Sequence, residues 1–375
     1  MPLHALHIGK SAFAGADGGG SDRVFEALLD HLPQHGVEAE GVVVGASQRP
    51  AIVGVSRTDA ALPRRLWSVR NALTAKMTNP TPDVVASHFA LYTLPVLDRL
   101  ARIPLIVHFH GPWALESAAE GAAPWAVRLK KQLELLVYRR AARFIVLSRA
   151  FRDVLHTRYG APMDRICIVP GGVDTERFHV SLSREQARAR LGWADRPTVL
   201  VVRRLAQRMG LEQLIDATHL ARKQAPELQV LIGGKGPLSA ALQQRIEAQD
   251  LADSVRLLGF IPDEDLPLAY RAADATMVPT QALEGFGLIT LESLAAGTPV
   301  LVTPVGGLPE TVDGLDPSLI LSSKTVQAIA DGLLGVVESR YAHLTPDVCR
   351  SYVQQNFAWP VIARQIAEVY REVTR

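Results

Sequence analysis

Two glutamates eight positions apart flank a glycine-rich turn in the second half of the chain. Glu284 precedes Gly285-Phe286-Gly287, and Glu292 lies in the helix predicted to begin after that turn. Eight residues make a little over two helical turns, so Glu292 faces the same side as the helix entrance. Carboxylates accept hydrogen bonds from vicinal hydroxyls, and the amides of Phe286 to Leu288 could hold a phosphate. The pattern indicates a nucleoside diphosphate that carries a ribose and a sugar.

A basic segment follows the predicted strand Thr198–Val202 and reads Arg203-Arg204-Leu205-Ala206-Gln207-Arg208-Met209-Gly210. Guanidinium groups at the end of a parallel strand can bind diphosphate oxygens in bidentate geometry. In isolation, a run of this kind would be interpreted as a solvated basic loop. Its position at a strand end, beside two glycine turns, favours phosphate binding.

A run of three glycines, Gly18-Gly19-Gly20, follows the first predicted strand and precedes a predicted helix. Glycines let the backbone approach a bulky anion, and the start of a helix offers unpaired amides and the positive end of its dipole. The segment does not match G-x-G-x-x-G, and no acidic residue ends the second predicted strand, which disfavours a nicotinamide site. Phosphate contact and a glycine loop without a ligand are both compatible with this segment.

These residues can act together only if folded domains position them. The composition of the chain is typical of a folded protein. The chain has 375 residues, 48% of them hydrophobic and 21% charged. A single core stops growing at about 250–300 residues, so two domains are expected. The 40 basic and 38 acidic residues give a formal charge of +2, which disfavours nucleic-acid binding. Cys167 and Cys349 are too few and too far apart for a disulfide framework or a metal cluster.

No targeting or membrane-spanning segment is expected. Residues 1–9 lack a basic region followed by a long apolar stretch, which argues against a signal peptide. The longest uncharged run, Ser293–Pro309, is interrupted by glycines and prolines, whereas a span needs about 20 mostly apolar residues. We therefore expect a cytoplasmic protein, attached at most to the inner face of a membrane.

Short apolar runs alternate with longer amphipathic runs, which predicts an α/β fold with parallel sheets. The predicted strands are His4–Ile8, Glu40–Val44, Asp83–Ser87, Leu105–Phe109, Phe144–Leu147, Thr198–Val202, Leu228–Ile232, Val255–Leu258, Ala275–Val278 and Pro299–Val302. The predicted helices are Asp22–Leu32, Trp125–Ala142, Leu211–Lys223, Asp265–Ala273, Ile289–Ala296 and Val361–Val373.

The chain is divided near Pro170–Ser183, where the turn residues Pro170–Asp174 are followed by the polar stretch Asp174–Arg190. We expect an N-terminal Rossmann-like domain over residues 1–175, a second over 176–356 and a C-terminal helix within 357–375. That helix is expected to pack back on the first domain. Two open parallel sheets joined by one linker would place a ligand-binding cleft between their carboxyl edges.

The segment from Glu284 to Val300 resembles the E-x7-E signature of GT4-type retaining glycosyltransferases. Weaker matches follow in order along the chain: the early glycine run, His108-Phe109-His110-Gly111, Val169–Asp174, Gly234-Lys235-Gly236-Pro237, Leu258–Ile261 and Gly306–Glu310. The resemblance implies a GT-B architecture, in which two Rossmann-like domains face each other across a cleft. The second of these domains would hold most of the donor.

The resemblance also implies roles for the matching positions. Glu284 would contact hydroxyls of the donor sugar, Glu292 would bind the ribose, and Arg204 would bind the diphosphate. His110 would contact the donor sugar near the reacting carbon, so His110, Glu284 and Arg204 are the expected catalytic residues. Backbone contacts to the donor are expected from three groups: Gly18, Gly19 and Gly20 on the phosphates, Gly285, Phe286, Gly287 and Leu288 along the donor, and Gly259, Phe260 and Ile261 around the base.

One departure from the family pattern concerns the basic segment. The family commonly reads G-R-L-x-x-x-K-G there, whereas this chain has Arg203 for the glycine and Met209 for the lysine. A methionine cannot neutralise a diphosphate. Our hypothesis from the sequence is that the adjacent Arg208 supplies the second positive charge.

The function expected from the resemblance is transfer of a sugar from a nucleotide-diphosphate sugar to an acceptor hydroxyl, with retention. A UDP-sugar is favoured over a GDP-sugar, no metal cofactor is expected, and the acceptor would belong to a bacterial glycan, glycolipid or glycosylated metabolite. The leaving phosphate would assist attack from the same face, since no obvious carboxylate nucleophile lies beside His110 in the sequence. The alternatives are an epimerase or phosphorylase of the same fold, or a non-catalytic partner protein that binds nucleotide-sugars.

Three further patterns have simpler interpretations. Asp263-Glu264-Asp265 matches the D-x-D of metal-dependent glycosyltransferases, but helix capping is favoured. His108 and His110 lack a nearby third ligand, which disfavours a metal site. His88 follows a predicted strand, where it could reach the cleft or be a hydrogen-bonded polar residue at the strand end. Two basic stretches, Ala60–Pro82 and Trp125–Arg143, are interpreted as solvated faces, with docking on anionic lipid as the alternative.

Overall fold

The computed structural model describes residues 2–11, 19–78 and 80–374. The chain forms two compact units. The first contains the residues up to Gly172 together with the segment that begins at Trp359, and the second contains Val173–Ala358. The sequence predicts these boundaries a few residues away, after residues 175 and 356.

The first unit is a seven-stranded parallel sheet with the order β3-β2-β1-β4-β5-β6-β7. Its strands are β1 (Leu3–Ile8), β2 (Val37–Val44), β3 (Ile52–Val55), β4 (Val84–Ser87), β5 (Leu105–Phe109), β6 (Ala141–Val146) and β7 (Ile166–Ile168). Its helices are α1 (Gly20–His31), α2 (Leu62–Lys76), α3 (Ala90–Thr93), α4 (Trp113–Ala119), α5 (Pro124–Tyr138), α6 (Arg149–Tyr159) and α15 (Trp359–Thr374). All five residues of β5 are buried, as expected for a central strand covered on both faces.

The C-terminal helix α15 packs within the first unit. The Trp359 ring stacks on His31 with ring centroids 6.3 Å apart. The same ring covers Gly172, where a Cβ would lie 2.5 Å from it, so only glycine fits beneath the indole. Near the end of the helix, the buried Tyr370 hydroxyl lies 2.7 Å from Nε2 of His108 on β5.

The second unit is a five-stranded parallel sheet with the order β10-β9-β8-β11-β12. Its strands are β8 (Thr198–Val202), β9 (Gln229–Gly233), β10 (Val255–Gly259), β11 (Ala275–Val278) and β12 (Val300–Val302). Its helices are α7 (Arg184–Leu191), α8 (Leu211–Ala221), α9 (Ser239–Ala248), α10 (Leu266–Ala272), α11 (Leu288–Ala295), α12 (Leu308–Val312), α13 (Val326–Val337) and α14 (Pro346–Asn356). The two sheets confirm the predicted α/β class.

Several elements differ from the sequence prediction. The strands β3 and β7 were not predicted, because each is short and lies at an edge of the sheet, where little apolar patterning is required. The helix α5 ends at Tyr138, and Ala141 and Ala142 belong to β6 instead.

The helix α7 occupies a stretch that was expected to be a polar linker. Ser183 Oγ accepts a hydrogen bond from the Gln186 amide at 3.2 Å, and Gln186 Oε1 accepts one from the Ser183 amide at 2.9 Å. This reciprocal capping box has a sequence signature, S-x-x-Q, that could have predicted the helix start.

Within the residues that the structure describes, no helix is long and apolar enough to span a membrane.

Candidate functional site

The order of the second sheet marks where a ligand would bind. From β8 the chain continues outward to β9 and β10, then returns to the other side of β8 to form β11 and β12. In open α/β sheets, ligands bind outside the carboxyl ends of the strands at such a reversal. The segment after β8 and the segment after β11 meet at this point, where the Gln281 amide donates to the Arg208 carbonyl at 2.8 Å. Both segments carry residues selected from the sequence.

Arg203 and Glu284 form an ion pair between these two segments. Their side chains are only 8% and 13% exposed. The same Nη2 of Arg203 donates to Thr280 Oγ1 at 3.0 Å and to Met209 Sδ at 2.8 Å. Arg203 belongs to the basic segment predicted to bind diphosphate, but the resemblance implies no individual role for it, since the family pattern has a glycine there. The guanidinium therefore connects the first glutamate of the signature to the position where the family has a lysine.

Arg208 contacts the backbone immediately before Glu284. Its Nη1 donates to the carbonyl of Leu283 at 2.8 Å. Leu283 has a φ of 52°, an unusual conformation for a non-glycine residue that is often found at functional sites. Arg208 thus supports the strained turn that orients Glu284. The neighbouring predicted residue, Arg204, is exposed.

The helix α11 begins directly after the glycine turn. Gly287 is its N-cap residue and has a φ of 89°, which favours glycine. The Phe286 side chain is 2% exposed and packs near Phe357, with ring centroids 6.0 Å apart, so only its backbone could line a ligand. Leu288, the first residue of the helix, is half-buried.

Glu292 is buried within α11, and its Oε2 accepts a hydrogen bond from the Tyr270 hydroxyl at 2.9 Å. This protein contact uses one oxygen of the carboxylate that the resemblance assigns to the ribose. Its partner residue, Tyr270, was missed by the sequence analysis because it comes from a separate helix, α10.

The residues expected around the base lie at the end of the edge strand β10. The carbonyl of Gly259 accepts a hydrogen bond from the Gly234 amide at 2.6 Å. The Phe260 ring lies 5.0 Å from the Lys235 ammonium, and Ile261 packs against Gly233. The turn after β9 and the turn after β10 therefore support each other.

Close backbone contacts explain why glycine is required at two positions of the weaker motifs. A Cβ at Gly234 would overlap the carbonyl of Arg203, and a Cβ at Gly306 would overlap the carbonyl of Glu284. Gly307 also donates its amide to the Glu284 carbonyl at 3.0 Å. Because only glycine permits such close backbone contact, these motifs fix the two loops that carry the ion pair.

The glycine run predicted in the first unit is only partly described. Gly18 lies outside the described residues, Gly19 is the N-cap residue of α1, and Gly20 is its first residue. The Gly19 amide donates to Asp22 Oδ2 at 3.1 Å. Burial raises the pKa of Asp22. The helix start therefore already has an acidic partner of its own, and phosphate contact at Gly19 and Gly20 stays a prediction.

His110 is the end of a row of histidines at the reversal of the first sheet, between β1 and β4. His7 Nδ1 lies 3.0 Å from His88 Nε2, and His88 Nδ1 lies 2.9 Å from His110 Nε2. Burial lowers the pKa of His110 to about 4 and that of His7 to about 3, so both rings are neutral at pH 7. The sequence analysis missed His7, because nothing in the spacing of one strand indicates which ring its neighbours contact.

Glu116 lies close to the backbone of the loop that follows β5. A Cβ at Gly111, the residue after His110, would be 2.5 Å from Glu116 Oε1. This contact is made at Gly111, so the expectation that no carboxylate nucleophile lies beside His110 stays a prediction.

The interpretations of the acidic motif were also incomplete. Asp265 is the N-cap residue of α10 but makes no side-chain capping hydrogen bond, and Asp263 pairs with Arg177 at 3.0 Å. Across the described ranges, no three histidine, cysteine or acidic side chains are grouped so that they could hold a metal ion.

The helix α5 exposes an apolar stripe on one face. Trp125, Leu129 and Leu136 are 70%, 52% and 48% exposed. Spacings of four and seven residues place these side chains on one face of the helix. The exposed Arg139 and Arg140 lie at the end of this stripe. Val137 is buried, so the core-facing side of the helix is a different one.

Two α/β units, each with a parallel sheet, are the architecture of the GT-B fold. Sucrose-phosphate synthase of Thermosynechococcus elongatus has this fold: it superposes with a TM-score of 0.81 at 22% identity, covering 99% of both chains. Residues 183–355 match the family described as "Glycosyl transferases group 1", and residues 18–177 match "Glycosyltransferase Family 4". The chain belongs to the GT4-type glycosyltransferases.

Two curated relatives are similar to the chain in sequence. The D-inositol 3-phosphate glycosyltransferase of Nocardia farcinica is 32% identical over 362 residues, covering 92% of this chain and 78% of the relative. A GDP-mannose-dependent α-(1-6)-phosphatidylinositol monomannoside mannosyltransferase of Mycobacterium tuberculosis is 29% identical over 211 residues. That match covers 54% of this chain and about half of the relative, 55% of its length.

The glycine contact at Glu284 can be tested with alanine at Gly306. The substitution adds backbone strain of about 1–2 kcal/mol at its φ of 59° and also displaces the Glu284 carbonyl. We expect lower stability in denaturant unfolding and at least tenfold weaker nucleotide-sugar binding by calorimetry. Gly192→Ala is the matched control, because Gly192 has a φ of 66° with nothing within 4 Å of the added Cβ. Equal effects of both variants on binding would contradict the positioning role.

Proposed function

We propose that this protein transfers a sugar from a nucleotide-diphosphate sugar to an acceptor hydroxyl, with retention of configuration at the anomeric carbon. The observation that carries the proposal is the Arg203–Glu284 ion pair at the sheet reversal of the second unit. A cation for phosphate and a carboxylate for sugar hydroxyls are held side by side there. The family membership and the E-x7-E segment support the same assignment.

The chemistry requires stabilisation of opposite charges. When the bond between sugar and phosphate breaks, negative charge grows on the diphosphate and positive charge grows on the sugar ring. Arg204, Arg208 and the amides at the start of α11 would stabilise the diphosphate, which is electrostatic preorganisation. With these cations present, we propose that transfer needs no metal cofactor.

The sugar would be oriented by Glu284, and His110 would contact it near the reacting carbon. A neutral His110 suits a hydrogen bond to a hydroxyl better than general acid catalysis, because its pKa of about 4 keeps it unprotonated at pH 7. Same-face attack assisted by the leaving phosphate remains our mechanism.

The sequence and the curated relatives suggest which donor bases and acceptors to test. The sequence favours a UDP-sugar, while the Mycobacterium relative is named for GDP-mannose. Both donors therefore enter the first screen. We propose that the acceptor is a hydroxyl group on a glycan, glycolipid or metabolite. We also propose that this enzyme acts in the cytoplasm.

The exposed face of α5 supports docking on anionic lipid. Trp125, Leu129 and Leu136 offer apolar side chains, and Arg139 and Arg140 offer positive charge beside them. A stripe of this composition binds in the interface of a bilayer that carries negative headgroups. The site would bring the enzyme to an acceptor carried on a lipid.

A donor screen combined with Glu284→Ala tests the proposed function. We expect thermal stabilisation by one nucleotide-sugar, and product analysis by NMR should find transfer with retained configuration, unaffected by EDTA. Glu284→Ala should lower kcat/KM by at least a hundredfold, because it removes the sugar contact and leaves Arg203 unpaired. Glu227→Ala, at an exposed position, is the matched control. Tight binding without turnover would favour the partner-protein alternative, and an epimerised donor would favour the epimerase.

The source of the second positive charge can be decided between Arg203 and Arg208. A lysine at position 209 would extend its ammonium beyond the Met209 sulfur, into the place of the Arg203 guanidinium 2.8 Å away. We therefore expect Met209→Lys alone to weaken donor binding through repulsion. The double variant Arg203→Gly with Met209→Lys should restore binding to within a few-fold of the wild type, because one cation replaces the other.

Single substitutions complete this comparison, with donor affinity measured by calorimetry. Arg203→Ala should weaken binding at least tenfold if its guanidinium supplies the charge, which is the expected loss for one charged hydrogen bond. Arg208→Ala should have the larger effect if the hypothesis from the sequence is right. If neither variant changes donor affinity, both assignments are wrong.

Lipid docking is tested by co-sedimentation with vesicles at low salt. We expect binding to vesicles that contain phosphatidylglycerol and little binding to pure phosphatidylcholine. Replacing Trp125 and Leu129 by alanine should weaken binding at least tenfold, because two apolar side chains no longer enter the interface. Val348→Ala, which removes an exposed apolar side chain from the second unit, should have no effect. Negligible sedimentation with anionic vesicles would exclude this docking.

A further inference from the structure

Three neutral histidines form one continuous hydrogen-bonded row in the first unit. His7 comes from β1, His88 follows β4 and His110 follows β5, and these strands are neighbours in the sheet. The two nitrogen–nitrogen distances along the row are 3.0 Å and 2.9 Å. Both distances are ordinary for hydrogen bonds, so each contact needs one donor and one acceptor.

A neutral imidazole carries a single proton, which makes one ring nitrogen a donor and the other an acceptor. His88 uses both of its nitrogens in the row, so it must accept on one side and donate on the other. Only two arrangements satisfy both contacts. Either every proton points from His7 towards His110, or every proton points the opposite way. The protonation of His7 is therefore transmitted through His88 to His110.

The surroundings of His7 select one of these arrangements. Its ring is completely buried, and its Nε2 has no hydrogen-bond partner among the described residues. A buried N–H without a partner is rarer in proteins than an unsatisfied acceptor. The proton of His7 is therefore on Nδ1 and donates to His88. His88 in turn donates to Nε2 of His110, which leaves the His110 proton on Nδ1.

We infer that His7 and His88 are positioning residues that hold His110 in its Nδ1–H tautomer, so that it presents a neutral hydrogen-bond donor to an oxygen of the donor substrate. This inference rests on the proposed function, in which His110 contacts the donor sugar. In the opposite arrangement, His110 would present a lone pair and would select a hydroxyl hydrogen instead. The row thus determines which kind of group the site recognises.

His108 provides an internal comparison. Its ring stacks on His88 with centroids 4.3 Å apart, but its Nε2 contacts the Tyr370 hydroxyl at 2.7 Å instead of a ring of the row. It is buried like His7 and His88, at 4% exposure, whereas His110 is half-buried. A change at Tyr370 therefore disturbs the same packed layer without interrupting the row.

The tautomer can be measured directly by long-range proton–nitrogen NMR of the full chain labelled with ¹⁵N at histidine. His110→Gln assigns the His110 signals by their loss. At pH 7.5 we expect a protonated Nδ1 and a bare Nε2 for His110 in the wild type. His7→Leu removes the first donor, so His110 should shift to the other tautomer or to a mixture. His7→Asn keeps an N–H donor near the position of Nδ1 and should restore the wild-type spectrum.

Kinetics provide the second measurement. We expect His7→Leu to lower kcat about fivefold, the size of one neutral hydrogen bond, and His7→Asn to recover it. Tyr370→Phe should leave both the His110 tautomer and kcat unchanged. A wild-type His110 protonated on Nε2, or a tautomer that does not respond to His7→Leu, would overturn the inference. The NMR measurement needs no donor, so its failure is distinct from a failure of the proposed glycosyl transfer.

Discussion

The ion pair between Arg203 and Glu284 is the interaction on which the site of the second unit depends. Both side chains are largely shielded from water, so each charge would be costly to bury without the other. The pair joins the loop after β8 to the loop after β11. Around it, glycines at 234 and 306 allow neighbouring backbone to contact the same two loops closely. The charges and the close backbone packing thus fix one arrangement of the predicted donor residues.

Both sheets use the same geometric principle. In each, the chain builds strands outward on one side of the first strand and then returns to the other side. The loops on either side of that reversal run in opposite directions, which leaves the carboxyl ends of the adjacent strands accessible. In the second unit this position holds the ion pair, and in the first unit it holds the histidine row. The chemistry-bearing residues of this chain are therefore concentrated where parallel topology permits a ligand.

Much of the fold could be predicted because local patterning agrees with it. Leu105–Phe109, Thr198–Val202 and Ala275–Val278 were predicted with their observed bounds, since buried parallel strands read as short apolar runs. The edge strands β3 and β7 could not be recognised, because an edge needs no such run. The exposure of Leu129 could not be predicted either, because the sequence of an apolar helix stripe does not reveal whether the stripe faces the core or the solvent.

The sequence by itself determined the fold class and the family, since these follow from the order and spacing of apolar runs and motifs. The donor-binding roles of Glu284, Glu292 and Arg204 stay predictions. Only the tertiary structure decided which side chains meet. Arg203 reaches Glu284 across 81 positions, and His7 reaches His88 across another 81. Contacts of this kind depend on strand order and on the direction of each side chain, neither of which is encoded in local spacing. The partners of the predicted residues were therefore visible only in the folded chain.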